Sequence, residues 1–145
     1  MIIEHVLKKK IVKSLFTIKE HNLVSEAANL LSENNIGALP VTSDGKSVIG
    51  ILSERDIVRE IARHGFEALE TEVKDIMTKK VSTCSNLDTL RDVIGRMNKG
   101  RFRHMPVLEN NEMVGFISIS DLVLAHLDEV EFENAAMRGS VTGTN

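Results

Sequence analysis

The sequence of 145 residues contains one cysteine, two prolines, and no tryptophan or tyrosine. Because Cys84 has no second cysteine to pair with, an intrachain disulfide is excluded and a cytoplasmic protein is expected. No apolar run approaches the roughly 20 residues that cross a bilayer, and the first residues do not resemble a signal peptide. Without tryptophan or tyrosine, a flat ligand is expected to lie against aliphatic side chains and backbone rather than an aromatic stack.

Charge and missing motifs disfavour two further classes of protein. The net charge is −3 and no aromatic residues interleave with the basic ones, which disfavours nucleic acid as a partner. The chain has no HExxH, CxxC or GxGxxG motif and no phosphate loop, so neither catalysis nor a catalytic cofactor is expected. Apart from His104, the histidines have no carboxylate or cysteine at metal-ligand spacing, so no metal site is expected.

The chain contains an internal repeat. Residues 17–41, "TIKEHNLVSEAANLLSENNIGALPV", align with residues 83–107, "TCSNLDTLRDVIGRMNKGRFRHMPV", without a gap. In both copies apolar residues recur at i, i+3, i+4 and i+7, which predicts a helix with one buried face. After the shared Pro-Val pair the copies differ by one residue, because "TSDGKSVIG" is one residue longer than "LENNEMVG". Both stretches predict hairpin turns, where a structural repeat tolerates an insertion.

Each copy is predicted to form a strand, a helix, a strand, a hairpin turn, a strand and a second helix. The first copy has these elements at 15–18, 23–34, 38–42, 48–53 and 54–64, and the second at 81–84, 88–98, 104–109, 113–118 and 120–128. One copy of about 55 residues would bury too little surface to be stable alone. The predicted class is therefore α+β, two tandem βαββα repeats packed with pseudo-twofold symmetry. The predicted divisions are repeat 1 at 8–65, a connector at 66–76, repeat 2 at 77–130 and a disordered tail at 131–145.

Both copies contain the same sequence pattern at the predicted turn between the last strand and the last helix. It is "GILSERD", with Ser53 and Asp56, in the first copy and "GFISISD", with Ser118 and Asp121, in the second. One interpretation is a capping box, in which the serines cap backbone N–H groups and the aspartates favour the positive end of the helix dipole. The other is a ligand site, because a helix N-terminus and a hydroxyl can bind phosphate and a carboxylate can accept both ribose hydroxyls. Ser120 adds a hydroxyl in the second copy only.

Three cationic residues precede the strand "MPVLE" of the second copy: Arg101, Arg103 and His104. In isolation they are consistent with a solvated loop. Beside the two turns they favour phosphate binding, because arginine makes bidentate contacts with phosphate and histidine can donate a hydrogen bond in either charge state.

The doubled pattern "IGALPV…GILSERD" and "FRHMPV…GFISISD", with "VKDIMTKKVST" opening the second copy, resembles a tandem pair of cystathionine β-synthase (CBS) domains over residues 3–128. The resemblance implies two pseudosymmetric clefts between the copies and a homodimer, either head-to-head or head-to-tail. It also implies a regulatory module that binds adenosine compounds such as AMP, ADP, ATP, S-adenosylmethionine or NAD(H). The cations favour a phosphorylated ligand over S-adenosylmethionine.

Transferred residue by residue, the resemblance assigns roles around both clefts. The two aspartates would hold ribose, the three serines would reach ribose or phosphate, and the basic residues would bind phosphate. The residues four and three positions before each Pro would line the adenine, with a threonine hydroxyl and a valine backbone beside it. The candidate nucleotide-binding residues are Ile36, Gly37, Ser53, Asp56, Thr78, Val81, Arg101, Phe102, Arg103, His104, Ser118, Ser120 and Asp121.

The first copy departs from the family pattern, because Gly37 and Ala38 stand where the second copy has Arg103 and His104. The clefts are therefore expected to differ, with the one at Asp121 the stronger candidate. The leading hypothesis is a non-catalytic sensor of adenine nucleotides that signals to an effector protein and dimerises through its last helix in each copy. The alternatives are a structural dimerisation module without a physiological ligand and, third, an enzyme.

Overall fold

The computed structural model describes residues 1–10 and 15–143, with side chains described through Arg138. The helices are α1 (Ile3–Lys9), α2 (Val24–Asn34), α3 (Glu54–His64), α4 (Val73–Ile76), α5 (Leu90–Gly100) and α6 (Ile119–Gly143), with a 3-10 helix at Gly65–Glu70. The strands are β1 (Ala38–Thr42), β2 (Val48–Ser53), β3 (Cys84–Ser85), β4 (His104–Glu109) and β5 (Glu112–Ser118).

The elements confirm the predicted α+β class and the doubled architecture, with one strand missing. In the first copy β1 and β2 pair antiparallel, and in the second β4 pairs antiparallel with β5 and parallel with β3. The predicted strand at 15–18 is wrong, because only Ile18 forms a bridge, to Val41. The chain turns away immediately afterwards, where the Asn22 side chain accepts a hydrogen bond from the Lys19 N–H at 3.1 Å.

The two hairpin turns are built differently. In the first, the Asp44 carboxylate accepts hydrogen bonds from the N–H groups of Lys46 and Ser47, at 2.8 Å each, and Gly45 has a φ of +81°. In the second, Asn110 and Asn111 take φ values of +52° and +64°, a conformation that asparagine tolerates. The extra residue of the first copy is thus absorbed at the hairpin, and the strands on either side keep equivalent partners.

Each copy has its own core, and each core is completed by a helix that precedes the other copy. Ile3 and Val6 of α1 are buried with the second copy, among Leu90, Val93 and Ile117. Val73 of α4, from the predicted connector, is buried in the core of the first copy. Neither helix was predicted at this place. The exchange fixes α1 and α4 against the two hairpins and gives each copy a contact far away in sequence.

The exchanged helices explain the glycine of the doubled turn. A Cβ added at Gly50 would lie 2.5 Å from the sulfur of Met77, which follows α4, and one added at Gly115 would lie 2.7 Å from Leu7 of α1. Both distances are too short for a real contact, so a side chain at either glycine would force the Met77 or Leu7 side chain to move. The repeated glycine therefore has a packing role that capping alone did not require.

The last helix is longer than predicted. The sequence predicted an end at residue 128 and a disordered tail at 131–145, whereas α6 continues through Gly143. Residues 129–138, "EVEFENAAMR", contain no proline or glycine and are rich in glutamate and alanine, which are strong helix formers. Residues 144 and 145 of the predicted tail lie outside the described residues.

Candidate functional site

One cleft lies between the two copies and has a cavity volume of about 640 Å³. This is within the range of roughly 300–1,000 Å³ that small-molecule sites occupy. Its walls come from the end of α1, the connection between α2 and β1, the start of β4, the end of β5 and the first turns of α6. The candidate residues that line it are Ile36, Gly37, His104, Ser118, Ser120 and Asp121.

The doubled serine–aspartate turn forms a capping box in both copies. The Ser118 hydroxyl accepts from the Asp121 N–H at 3.2 Å, and Asp121 Oδ2 accepts from the Ser118 N–H at 2.9 Å. Ser53 and Asp56 make the same two bonds at the same distances. Capping is thus confirmed, but it uses only one carboxylate oxygen. Among the described residues, Asp121 Oδ1 makes no hydrogen bond, and it can accept from a ligand.

His104 is a neutral donor in this cleft. Its ring stacks on Phe116, with the ring centroids 5.6 Å apart and the planes inclined by 13°. Burial lowers the pKa of His104 from 6.5 to about 4, against the opposing effect of the Asp121 carboxylate. At neutral pH the imidazole therefore carries one N–H and no charge, so the expected phosphate cation at this position is absent. The aromatic pair also corrects the expectation of purely aliphatic walls.

Gly37 and His104 lie next to each other in the lining of the cleft. A Cβ added at Gly37 would meet the His104 ring at 3.4 Å and the Glu54 carboxylate at 3.5 Å. The two copies make the same backbone hydrogen bond at this place. The Glu54 N–H donates to the Gly37 carbonyl at 2.9 Å, and the Ile119 N–H donates to the Arg103 carbonyl at 2.8 Å. The distances from the added Cβ are ordinary van der Waals distances, so Gly37 and the imidazole lie close together and a methyl group at this position would just touch the ring.

Lys10 is the cleft residue that the sequence analysis missed. Its Nζ donates to the Phe116 carbonyl oxygen at 2.6 Å and lies 3.2 Å from Asp121 Oδ2. The signal was the run "KKK" at the end of α1, which stands in the position of "TKK" beginning at Thr78 in the second copy. Its contact with Phe116 spans 106 residues, so the run alone did not reveal where this lysine lies.

The remaining candidates do not line this cleft. Arg101 and Arg103 are exposed, and Phe102 packs against the core of the second copy. The other candidates outside the cleft are Ser53, Asp56, Thr78 and Val81.

The position equivalent to Asp121 in the first copy has different surroundings. Asp56 is only 7% exposed, and its Oδ1 accepts a hydrogen bond from Arg59 at 3.4 Å. Thr78 exchanges backbone hydrogen bonds with Ile51, at 2.8 and 2.9 Å. Where Ser120 stands in the second copy, the first has Arg55. The two aspartates therefore make the same capping hydrogen bonds but have different charged residues around them.

The buried thiol is not available as a nucleophile. Burial raises the pKa of Cys84 to about 12, so it stays protonated at neutral pH. Within residues 1–10 and 15–143, no three His, Cys, Asp or Glu side chains are grouped so that they could hold a metal ion. No helix in that part of the chain is both long and apolar enough to span a membrane.

The family model of the CBS domain matches the chain twice, at residues 3–63 and 73–128. The chain belongs to the CBS domain family. The two matches form a tandem CBS pair, and each begins at a helix, α1 or α4, that packs into the core of the other copy. CBS pairs are in general regulatory modules, and no catalytic family is indicated for this one.

Solved CBS proteins share the fold over most of the chain. A CBS-domain containing protein from Agrobacterium tumefaciens is 38% identical, with a TM-score of 0.82, over 87% of this chain and 99% of that one. A protein with CBS domains from Burkholderia ambifaria, named for signal transduction, is 32% identical with a TM-score of 0.82, over 88% and 95%. The CBS domain pair of protein MJ0100, in complex with 5′-methylthioadenosine and S-adenosyl-L-methionine, is 23% identical with a TM-score of 0.76, over 87% and 99%, and shares the fold.

Among curated relatives, the mitochondrial CBS domain-containing protein CBSX3 of Arabidopsis thaliana is 34% identical over 124 residues. The match covers 80% of this chain and 60% of CBSX3. The chain spans less than a third of some other relatives, such as 26% of the CBS domain-containing protein CBSCBSPB2 of the same plant. CBS pairs of this kind therefore also occur as parts of longer proteins.

Proposed function

We propose that this CBS pair is a non-catalytic regulatory module that binds an adenine nucleotide, AMP, ADP, ATP or NAD(H), in the cleft at Asp121. The observation that carries the proposal is the convergence of Asp121, Ser118, Ser120 and His104 from one copy on Ile36 and Gly37 of the other within a single cavity. This places a carboxylate, two hydroxyls, a neutral imidazole and an apolar wall where one small ligand can contact all of them.

The chemistry of these groups suits a nucleoside with hydroxyls on its sugar. Asp121 Oδ1 accepts the ribose hydroxyls while Oδ2 keeps its capping bond to the Ser118 N–H. The Ser118 oxygen accepts from the Asp121 N–H, so its own hydroxyl hydrogen can be donated to a ligand. The base would lie against Ile36 and Gly37, which line the same cavity as His104.

The fold supports an adenosine ligand. The MJ0100 pair, which shares the fold, holds two adenosine derivatives, 5′-methylthioadenosine and S-adenosyl-L-methionine. For this chain a phosphorylated ligand is favoured, because the cleft holds a lysine against Asp121. A weaker second site at Asp56 also belongs to the proposal, with Ser53, Thr78 and Val81 around it. The signal would pass to an effector protein in the cytoplasm.

A homodimer is part of the proposal. In each copy the last helix buries one residue of an apolar pair, Ile57 or Leu122, and exposes the other. Val58 is 65% exposed on α3 and Val123 is 47% exposed on α6. Pairing of these helices between two chains would cover both valines.

Thermal unfolding with a panel of AMP, ADP, ATP, NADH and adenosine separates the candidate functions. A sensor is stabilised by at least one nucleotide and leaves it chemically unchanged. A structural dimerisation module shows no stabilisation with any of them, and an enzyme converts its ligand. Mass spectrometry of small molecules that co-purify with the protein then identifies the ligand. Absence of stabilisation across the panel contradicts the proposal.

A further inference from the structure

Lys10 is held in the cleft at its backbone, which follows α1, and at its ammonium group. Helix α1 is anchored by Ile3 and Val6 in the core of the second copy. Its Nζ contacts the Phe116 carbonyl and Asp121 Oδ2, at 2.6 and 3.2 Å. The Lys10 and Asp121 side chains are only 21% and 23% exposed. Because this pair is shielded from water, its charges act on a bound ligand more strongly than exposed charges would.

The other basic residues near the cleft are placed less well for this role. Arg101 and Arg103 are exposed and lie outside its lining, and His104 is uncharged at neutral pH. Lys9 does line the cleft, but its side chain is exposed and makes no ion pair with any residue in the described ranges. The half-buried positive charge in contact with the candidate ribose acceptor is Lys10.

On the basis of the proposed function, we infer that Lys10 is the residue that makes the Asp121 cleft select phosphorylated adenosine ligands over adenosine itself. A ligand whose ribose hydroxyls donate to Asp121 Oδ1 makes that carboxylate a weaker partner for Lys10, which contacts its Oδ2. A 5′-phosphate carried on the same ribose supplies a new anionic partner for the ammonium group. Adenosine supplies none, so its binding leaves a half-buried ammonium group with a weakened partner, which is unfavourable.

The test is calorimetric titration of the full chain with AMP and with adenosine. The variants are Lys10→Met, which keeps the apolar stem and removes the charge, and Lys10→Arg, which keeps the charge. The matched control is Lys9→Met, which removes an exposed charge from the same cleft. Lys10→Met should weaken AMP binding roughly ten- to a hundredfold, as expected for loss of a charge-assisted hydrogen bond, and should leave adenosine binding equal or stronger. Lys9→Met should change the AMP-to-adenosine preference at most about fivefold, and Lys10→Arg should retain it.

The outcomes separate this inference from the proposed function. If the wild type binds AMP and Lys10→Met keeps the same preference over adenosine, Lys10 is not the selecting residue although the site stands. If Lys10→Met binds AMP more tightly, the lysine obstructs the cleft, and the inference is again wrong. If the wild type binds neither AMP nor any other nucleotide, the proposed function fails first. Circular dichroism of each variant establishes whether it is folded. If Lys10→Met does not fold, the charge-preserving Lys10→Arg variant still tests whether the preference for AMP over adenosine depends on a positive charge at this position.

Discussion

Changing Asp121 to Asn separates the two roles of the doubled turn, capping and ligand binding. Asparagine keeps the size and one acceptor oxygen, so the hydrogen bond from the Ser118 N–H can persist. What it removes is the negative charge at the start of α6 and the ion pair with Lys10 at 3.2 Å. The lost interaction with the helix dipole costs about 0.3–1 kcal/mol, and loss of the partly shielded ion pair adds about 1 kcal/mol. Without ligand, the variant should therefore unfold only slightly below the wild type.

The effect on binding should be much larger. Replacing a charged acceptor of the ribose hydroxyls by a neutral one removes about 1.5–3 kcal/mol, or roughly ten- to a hundredfold in affinity. Ligand at a hundred times its dissociation constant stabilises the wild type by about 2.7 kcal/mol. At the same ligand concentration the variant should gain only about 0.4–1.4 kcal/mol. For a chain of this size each kcal/mol moves the midpoint by about 2–4 °C, so differential scanning fluorimetry resolves the difference.

Asp56→Asn is the matched control, because Asp56 makes the same capping bonds in the first copy. It should lose a similar amount of stability without ligand and keep most of the ligand-induced shift. Asp121 is not a ribose ligand if Asp121→Asn loses stability without ligand but keeps the full shift. The carboxylate would then be a helix cap only.

Three further predictions address assembly, packing and pH. The wild type should give the mass of two chains by light scattering at micromolar concentration, and Val58→Asp combined with Val123→Asp should give the mass of one; a single-chain mass for the wild type contradicts the dimer. Gly115→Ala should lower the free energy of unfolding, measured in urea, by about 1–3 kcal/mol, because its methyl group would lie 2.7 Å from a side chain of α1. The control Gly95→Ala, in open space on α5, should raise the free energy of unfolding by about 0.5–1 kcal/mol. Equal effects of the two substitutions would exclude the packing role of Gly115. Because the pKa of His104 is lowered from 6.5 to about 4, the folded state takes up this proton at lower pH than the unfolded state. The contribution of His104 to stability should therefore be full above pH 6.5 and fall by up to about 3 kcal/mol towards pH 4. His104→Asn should remove this part of the pH profile of thermal unfolding, and an unchanged profile contradicts the prediction.

The fold was predictable because the duplication repeats local signals that physical chemistry ties to local structure. The apolar spacing that begins at Val24 and at Leu90 gave both core helices, and the turn residues gave both hairpins. The contacts between copies were not predictable in this way. The sequence of α1 is short and carries no sign that it packs beside Leu90 rather than beside its own copy. The neutral state of His104 likewise depends on its burial against Phe116, and no sequence motif indicates that contact.

The two equivalent aspartates differ in where their positive partners come from, and this difference favours Asp121 as the sensing position. Arg59 lies three residues after Asp56 on the same helix, so helix geometry keeps that pair together whether or not a ligand binds beside it. Lys10 contacts Asp121 from the end of α1, in the lining of the cleft. A ligand whose hydroxyls donate to Asp121 therefore acts on a carboxylate that joins two elements, α6 and α1, whereas a ligand at Asp56 meets a pair confined to α3. Only the first arrangement lets occupancy of the cleft alter how one part of the molecule is held against another, which is what a regulatory module requires.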